Sequence, residues 1–295
     1  MIHKISGGMS PAWLHFAIMN ILEHPARTSY PSDLSDAEWE FIAPMTPSPI
    51  WLPGLQEPHH TAREMMNAIR YRVRTGCAWR SLPHDFPPWS TVQKCFYKWK
   101  KGRVFEAINK ALIPRVRVEE GRNPEPTAGS IDSQSVKSSG NGGPGGFDGG
   151  KKVNGRKRHI FVDVLGLVLA LLITPANVQD RDAAVPVLTE VHQEYPTIEL
   201  AWVDGAYNGK PIEDVRRDTG LRIETIQHAE GHRGFAVLPR RWVVERTNAW
   251  FGRFRILNKE YERTIGSSHA DVLVAMSMLM LRHLTVPWIE RLDVR

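Results

Sequence analysis

The hydrophobic period of this chain changes once, and the change falls on a short stretch suited to neither helix nor strand. Residues 118–128 hold Gly121, Pro124 and Pro126, which interrupt regular backbone hydrogen bonding. Before them, apolar side chains recur at helical spacing; after them, strand-like and helix-like patterns take turns. That order predicts an α/β domain with a mixed β-sheet, preceded by a small all-α domain. The expected boundaries are an extension over 1–30, a helical domain over 31–120, a linker over 121–129 and a mixed domain over 130–295. At 295 residues there is chain enough for two such cores.

In the helical half, helix starts are written as capping boxes. Ser35 with Glu38 opens a short helix carrying Trp39, Phe41 and Ile42, and Thr61 with Glu64 opens one carrying Met65, Ile69 and Val73. Gly76 ends the second. A third box, Ser90 with Gln93, is expected to open STVQKCFYKWKKG, the last helix of this half. Val92, Phe96 and Trp99 turn inward there, leaving Lys94, Tyr97, Lys98, Lys100 and Lys101 outward. Cations interleaved with an aromatic suit the DNA major groove, in the manner of a helix-turn-helix; a basic solvated helix is the simpler alternative.

In the second half, strands are expected over Ser130–Val136, His159–Val164, Val168–Ile173, Ile198–Val203 and Leu221–Ile226. Helices are expected over Asp182–His192, Pro211–Thr219, about Arg241 to Lys259, and Ala270–Leu284. Ser138–Gly150 contains seven glycines but lacks the order of a phosphate-binding loop, so it reads as a flexible connection. The basic run KKVNGRKRH supplies Lys151, Lys152, Arg156, Lys157 and Arg158, either as contacts for DNA phosphates or as a charged strand entrance.

A formal charge of +6 and a sequence pI near 9.4 point to an anionic partner, nucleic acid being the commonest. Cys77 and Cys95 lack metal-ligand spacing and make no disulfide framework, which fits a reducing cytoplasm. The apolar run Leu165–Ile173 is too short to span a bilayer. Trp13–Leu22 is interrupted by His15 and Asn20 and is not expected to be a secretion signal; Met19 would serve as a later start. No membrane partner is expected.

Three acids stand out. Asp132 lies in the first strand, Asp204 follows the Ile198–Val203 strand, and Glu245 sits on the helix LPRRWVVERTNAWFGRFRILNKEY. Wound regularly, that helix sets Arg241, Glu245, Asn248, Gly252, Arg255 and Lys259 on one face, with Val243, Trp250, Phe254 and Leu257 opposite. Glu245 could simply be salt-bridged by Arg241 and Arg246, and Asp132 and Asp204 could simply form turns. Asp148, Asp163, Asp180 and Asp182 are rivals. Converging carboxylates are what a pair of hard divalent ions needs around a phosphate.

The blocks IDSQSVKS, WVDGAYNG and RRWVVERTNAWFGRFR resemble the catalytic blocks of bacterial insertion-sequence transposases of the DDE type, in the group numbered five. AIRYRVRTGCAWRSLP and WSTVQKCFYKWKKG resemble that family's N-terminal helix-turn-helix region, and the likeness runs from about Leu34 to Leu284. The resemblance implies a ribonuclease-H-like catalytic domain that cuts and joins DNA strands with two divalent metal ions, Mg2+ or Mn2+. By it, Asp132, Asp204 and Glu245 are the catalytic and metal-binding acids. Arg241, Arg253, Arg255 and Lys259 join the lysines and arginines above as DNA-binding residues. It further implies double-stranded DNA partners, namely terminal inverted repeats and target DNA, a homo-dimer on DNA, and a cytoplasmic, nucleoid-associated protein. The pattern also wants a tyrosine and a basic residue where this chain has Leu238 and Gly252. A DNA-binding regulator without catalysis, or a nuclease without strand transfer, are the alternatives.

Overall fold

The computed structural model describes residues 27–48, 60–140, 142–226 and 242–286. Its helical half comprises α1 (Asp36–Ile42), α2 (Ala62–Thr75), α3 (Trp89–Lys101) and α4 (Val104–Glu119). Ser35–Glu38 and Thr61–Glu64 both close as reciprocal capping boxes. The third box does not form. α3 starts at Trp89 behind Pro88, with no side-chain cap, because Pro88 already holds φ at −48°. Nor is α3 the last helix, for α4 follows after one turn through Gly102 and Arg103, the latter left-handed at φ 56°.

The second half holds β1 (Ala128–Lys137), β2 (Gly146–Asp148), β3 (Val153–Asp163) and β4 (Val168–Pro175). After them come α5 (Asp180–Glu194), β5 (Leu200–Val203), α6 (Lys210–Thr219), β6 (Arg222–Thr225), α7 (Trp242–Phe251) and α8 (Ile265–Thr285). The strands form one sheet in the order β2-β3-β1-β5-β6, with β4 also on β3. β3 runs antiparallel to β1, β2 and β4, whereas β1, β5 and β6 are parallel. Antiparallel strands leading into a parallel pair joined through helices make the ribonuclease-H-like architecture.

Helix α7 is shorter than its sequence pattern. It ends at Phe251, where Gly252, Arg253 and Phe254 each donate to the carbonyl three residues back. Glycine costs a helix about 1 kcal/mol relative to alanine, and the tightened turn drives Phe254 into the core. Arg255 and Lys259 therefore do not continue the Glu245 face, and Arg241 and Leu238 lie outside the described residues.

The two halves share one core. Phe105, Ile108 and Leu112 of α4 are buried, and α4 packs along α8; each such side chain stabilises by roughly 1.5–3 kcal/mol. Asn109 donates from α4 to the Leu273 carbonyl of α8 at 2.9 Å. Arg72 of α2 pairs with Asp271 of α8 at 2.9 Å and with Glu262. The connecting residues are pinned as well, since Arg117 donates to the Asn123 carbonyl and pairs with buried Asp163, and the Glu199 amide donates to Thr127. No helix among the described residues is long and apolar enough to cross a membrane.

Strand β3 has neighbours on both edges and is buried from Gly155 to Asp163. Its cations must therefore be paired inside the protein. Arg156 and Arg158 converge on Glu260, with Arg158 at 2.6 Å. Glu260 is only 3% exposed and also accepts from Ser268 of α8 at 2.5 Å. Its backbone joins the end of β1, donating to Lys137 and accepting from Ser139. Lys157 pairs with Asp180 at 2.9 Å and Asp148 at 3.5 Å.

Two measurements follow from this strand. Glu260→Ala leaves two buried guanidinium groups without their acid, so urea unfolding should show a loss of about 3–5 kcal/mol; a loss below about 1 kcal/mol would discard the role assigned to Glu260. His159, fully buried with Nε2 3.0 Å from Thr174 Oγ1, has its pKa drawn down by burial to about 4. The fold prefers the neutral ring, so this contribution is complete above the ordinary histidine pKa of about 6.5 and is lost as pH falls toward 4. His159→Gln should flatten the stability profile between those pH values relative to the unaltered chain.

Candidate active site

Strand pairing brings the two aspartates level. β1 and β5 pair as Ala128↔Leu200, Gly129↔Ala201 and Ser130↔Trp202, and the same offset carried two residues on sets Asp132 beside Asp204. Neighbouring strands lie about 4.8 Å apart, so both carboxylates emerge at one edge of the parallel part of the sheet. Each is partly exposed. Asp204 also shapes its own turn, its Oδ1 accepting from the Ala206 amide at 2.8 Å. The turn-forming alternative and the site reading are thus compatible for this residue.

The turn after β5 contributes Tyr207, quoted within a motif above but given no role there. It is 2% exposed, and its Oη makes no hydrogen bond; the Ser133 hydroxyl bears on it without meeting hydrogen-bond geometry. Its pKa is pushed well above the ordinary phenol value, first by burial and then by the charges of Asp132, Asp180 and Asp204. Negative charge is therefore concentrated at this sheet edge. The signal available in sequence was an aromatic three residues after a strand-end aspartate, too common to single out.

Glu245 stands exposed in the first turn of α7. Val243, Val244, Thr247 and Phe251 bury the other side, and the helix packs on β1 and β3. The β3–β4 turn fixes its position: Thr247 Oγ1 donates to the Gly166 carbonyl at 2.8 Å and Arg246 Nη2 to the Leu165 carbonyl at 2.9 Å. Gly166 sits at φ +83°, and a Cβ there would come within 2.7 Å of Thr247 Oγ1, so the turn needs glycine on both counts. Arg246 is thus engaged with this turn, and with the rings of Trp242 and Trp250, rather than with Glu245. Among the described residues, no group of three or more His, Cys, Asp or Glu side chains converges closely enough to hold a metal ion. The register aligns Asp132 with Asp204, and Glu245 stands on a helix packed against β1.

Beyond Glu245, a cleft of about 270 Å³ opens between β1 and the end of α7, lined among others by Gln134, Lys137, Asn248, Gly252 and Asn258. Of the rival acids, Asp163 closes the hairpin turn and pairs with Arg117, and Asp180 opens α5. Asp148 is held down to about 2: burial opposes the shift, while the Ser135 hydroxyl, the Lys151 and Gly150 amides and Lys157 together outweigh it.

The expected DNA-binding residues divide sharply. Lys94, Tyr97, Lys98 and Lys101 are exposed on α3, while Lys100 turns back to Ser267 Oγ at 3.0 Å. Lys151 and Lys152 are exposed, and Lys151 Nζ reaches the Ser133 carbonyl beside Asp132 at 2.8 Å. Arg253, Arg255 and Lys259 are exposed; Arg241 lies outside the described residues. Arg156, Lys157 and Arg158 are corrected: they are buried in the ion pairs of β3 and unavailable to phosphates.

Two segments of the chain match known protein families. Residues 34–109 match a family described as "Putative transposase of IS4/5 family", and residues 123–280 match one described as "Transposase DDE domain". A curated relative from Burkholderia cepacia, "Putative transposase for insertion sequence element IS402", is 31% identical over 116 residues. The match covers 37% of this chain and 54% of that protein, so the chain spans about half the length of this relative. One solved structure, the simian T-cell lymphotropic virus intasome with PP2A regulatory subunit B56 gamma, matches 70% of this chain and 64% of its own at 12% identity. Its TM-score of 0.34 carries no argument. The domain match, spanning more than half of the chain, coincides with the sheet that aligns Asp132 and Asp204 and the helix that carries Glu245: the chain belongs to the DDE transposase family.

Proposed function

We propose that this chain is a transposase of the group numbered five, which binds the terminal inverted repeats of an insertion sequence, cleaves DNA strands and transfers them to target DNA. The observation that carries the reading is the parallel register that sets Asp132 level with Asp204. Asp132, Asp204 and Glu245 are the proposed catalytic acids. Their oxygens are the hard donors that Mg2+ or Mn2+ prefers. The charge concentrated around Tyr207 marks the sheet edge as a place that favours a cation.

DDE transposases use divalent metal ions. Bound at such acids, a pair of ions would make the attacking oxygen more nucleophilic and stabilise the leaving oxygen. The chain's own groups do the rest. Lys151, hydrogen-bonded beside Asp132, brings positive charge to where a phosphodiester approaches. Exposed Lys94, Tyr97, Lys98 and Lys101 on α3 face a DNA groove as one strip, with Lys100 locked behind them. Lys152, Arg253, Arg255 and Lys259 are further phosphate contacts. Two DNA ends require two such sites, hence a homo-dimer on DNA, in a cytoplasmic, nucleoid-associated protein.

The test uses end-labelled terminal-repeat DNA with supercoiled target and Mg2+. The unaltered chain should give joined products, and Asp132→Asn, Asp204→Asn and Glu245→Gln should each lower joining by at least ~100-fold while DNA binding in EDTA persists. Retained joining by any of these variants would remove that acid from the site. Nicks without joined products would identify a nuclease, and binding without cleavage a regulator.

A further inference from the structure

The end of α2 meets the segment that leaves α7, and Arg282, in the last turn of α8, lies near enough for its charge to bear on Arg74. Arg74 lies in the last turn of α2 and Arg282 in the last turn of α8, and Arg253 follows α7 by two residues. Arg74 Nη1 donates to the Arg253 carbonyl at 3.0 Å, and its guanidinium lies 5.6 Å from the centre of the Phe254 ring. Just past α2, Gly76 packs so closely on Arg255 that an added Cβ would stand 3.0 Å from the Arg255 Cβ. All of these arginines are exposed. Among the described residues, every charge that bears on Arg74 is another arginine: Arg253, Arg282 and Arg255 act with burial to weaken its hold on its proton.

The plain account is that each arginine complements the negative end of its own helix, worth about 0.3–1 kcal/mol apiece. That explains an arginine at each terminus. It does not explain why the termini are gathered so that the charges repel. Exposed like charges held together without an acid are what an anion-binding surface requires, and planar guanidinium groups match phosphate oxygens in pairs.

We propose that Arg74, Arg253, Arg255 and Arg282 form one composite site for the DNA phosphate backbone, built jointly by the helical half and the ribonuclease-H-like half. The proposal rests on the transposase reading above and adds to it Arg74 and Arg282, which had no role. The segment Arg253–Arg255 continues directly from the helix of Glu245. A strand gripped here is therefore held past the end of α7, the helix whose first turn carries Glu245.

Fluorescence anisotropy of a 30-base-pair duplex with the full chain in EDTA, titrated with KCl, tests it. A double variant, Arg74→Gln with Arg282→Gln, should bind more weakly, and the slope of log affinity against log salt should be less steep by about 0.9 per lost contact. Lysine at both positions should restore most of the slope. Arg217→Gln, on α6 and already paired with Asp214 and Asp218, should leave it unchanged. Thermal melting should show no loss of stability in Arg282→Gln, since repulsion is relieved; this single exposed change still predicts a slope change of about 0.9 if the double variant does not fold. Equal slopes for the unaltered chain and the variants would overturn the proposal alone. No binding by the unaltered chain at any salt would overturn it together with the function it rests on.

Discussion

Glu260 is the rivet of this structure. Its backbone is bonded to the end of β1, its side chain takes both Arg156 and Arg158 of β3, and Ser268 ties it to the start of α8. Two guanidinium groups and a carboxylate are expensive to bury singly, and only their convergence makes the interior of β3 tolerable. The segment that leaves α7 and the helix that follows are thereby fixed to the strand carrying Asp132. The position of Glu245 relative to that strand depends on this cluster at one end of α7 and on the Gly166 turn beside its middle.

Much of the architecture was legible because local chemistry and tertiary structure agree. Ser35–Glu38 and Thr61–Glu64 specify their helix starts by hydrogen bonds within four residues, and the strand before Asp204 is an apolar run bounded by turn formers. The structure departs from the pattern where a competing neighbour or a core contact decided. Ser90 lost its capping role to Pro88, and α7 stopped at Gly252 because Phe254 had a core to enter. α4 shows helical spacing in Phe105, Ile108, Leu112 and Val116, but Pro114 inside it reads locally as a helix stop.

The site divides along the same line. Asp132 was readable as an acid within a strand and Asp204 as one just past a strand's end, but their alignment required a parallel pairing between segments far apart in sequence. The basic run before the hairpin misled for the opposite reason. On its own it resembles a phosphate contact, whereas helices cover β3 and the face carrying Arg156 and Arg158 is closed by Glu260, which leaves neither side chain exposed. Consecutive cations leading into the apolar run His159–Val162 of one strand imply a buried acid somewhere. Glu260, about a hundred residues downstream, could have been sought on that ground.

The core shared by α4 and α8 has a consequence for how such a protein measures DNA. With Arg72 locked to Asp271 and the residues before β1 pinned by Arg117, the outer face of α3 and the edge bearing Asp132 belong to one solid body. If α3 reads DNA as proposed, the span between the sequence recognised and the bond broken is a constant of the fold. Any mismatch in length falls on the nucleic acid, where bending a site of 20–30 base pairs costs on the order of 1–6 kcal/mol. The flexibility of the DNA near the element's end then becomes part of what distinguishes a true end from an imitation.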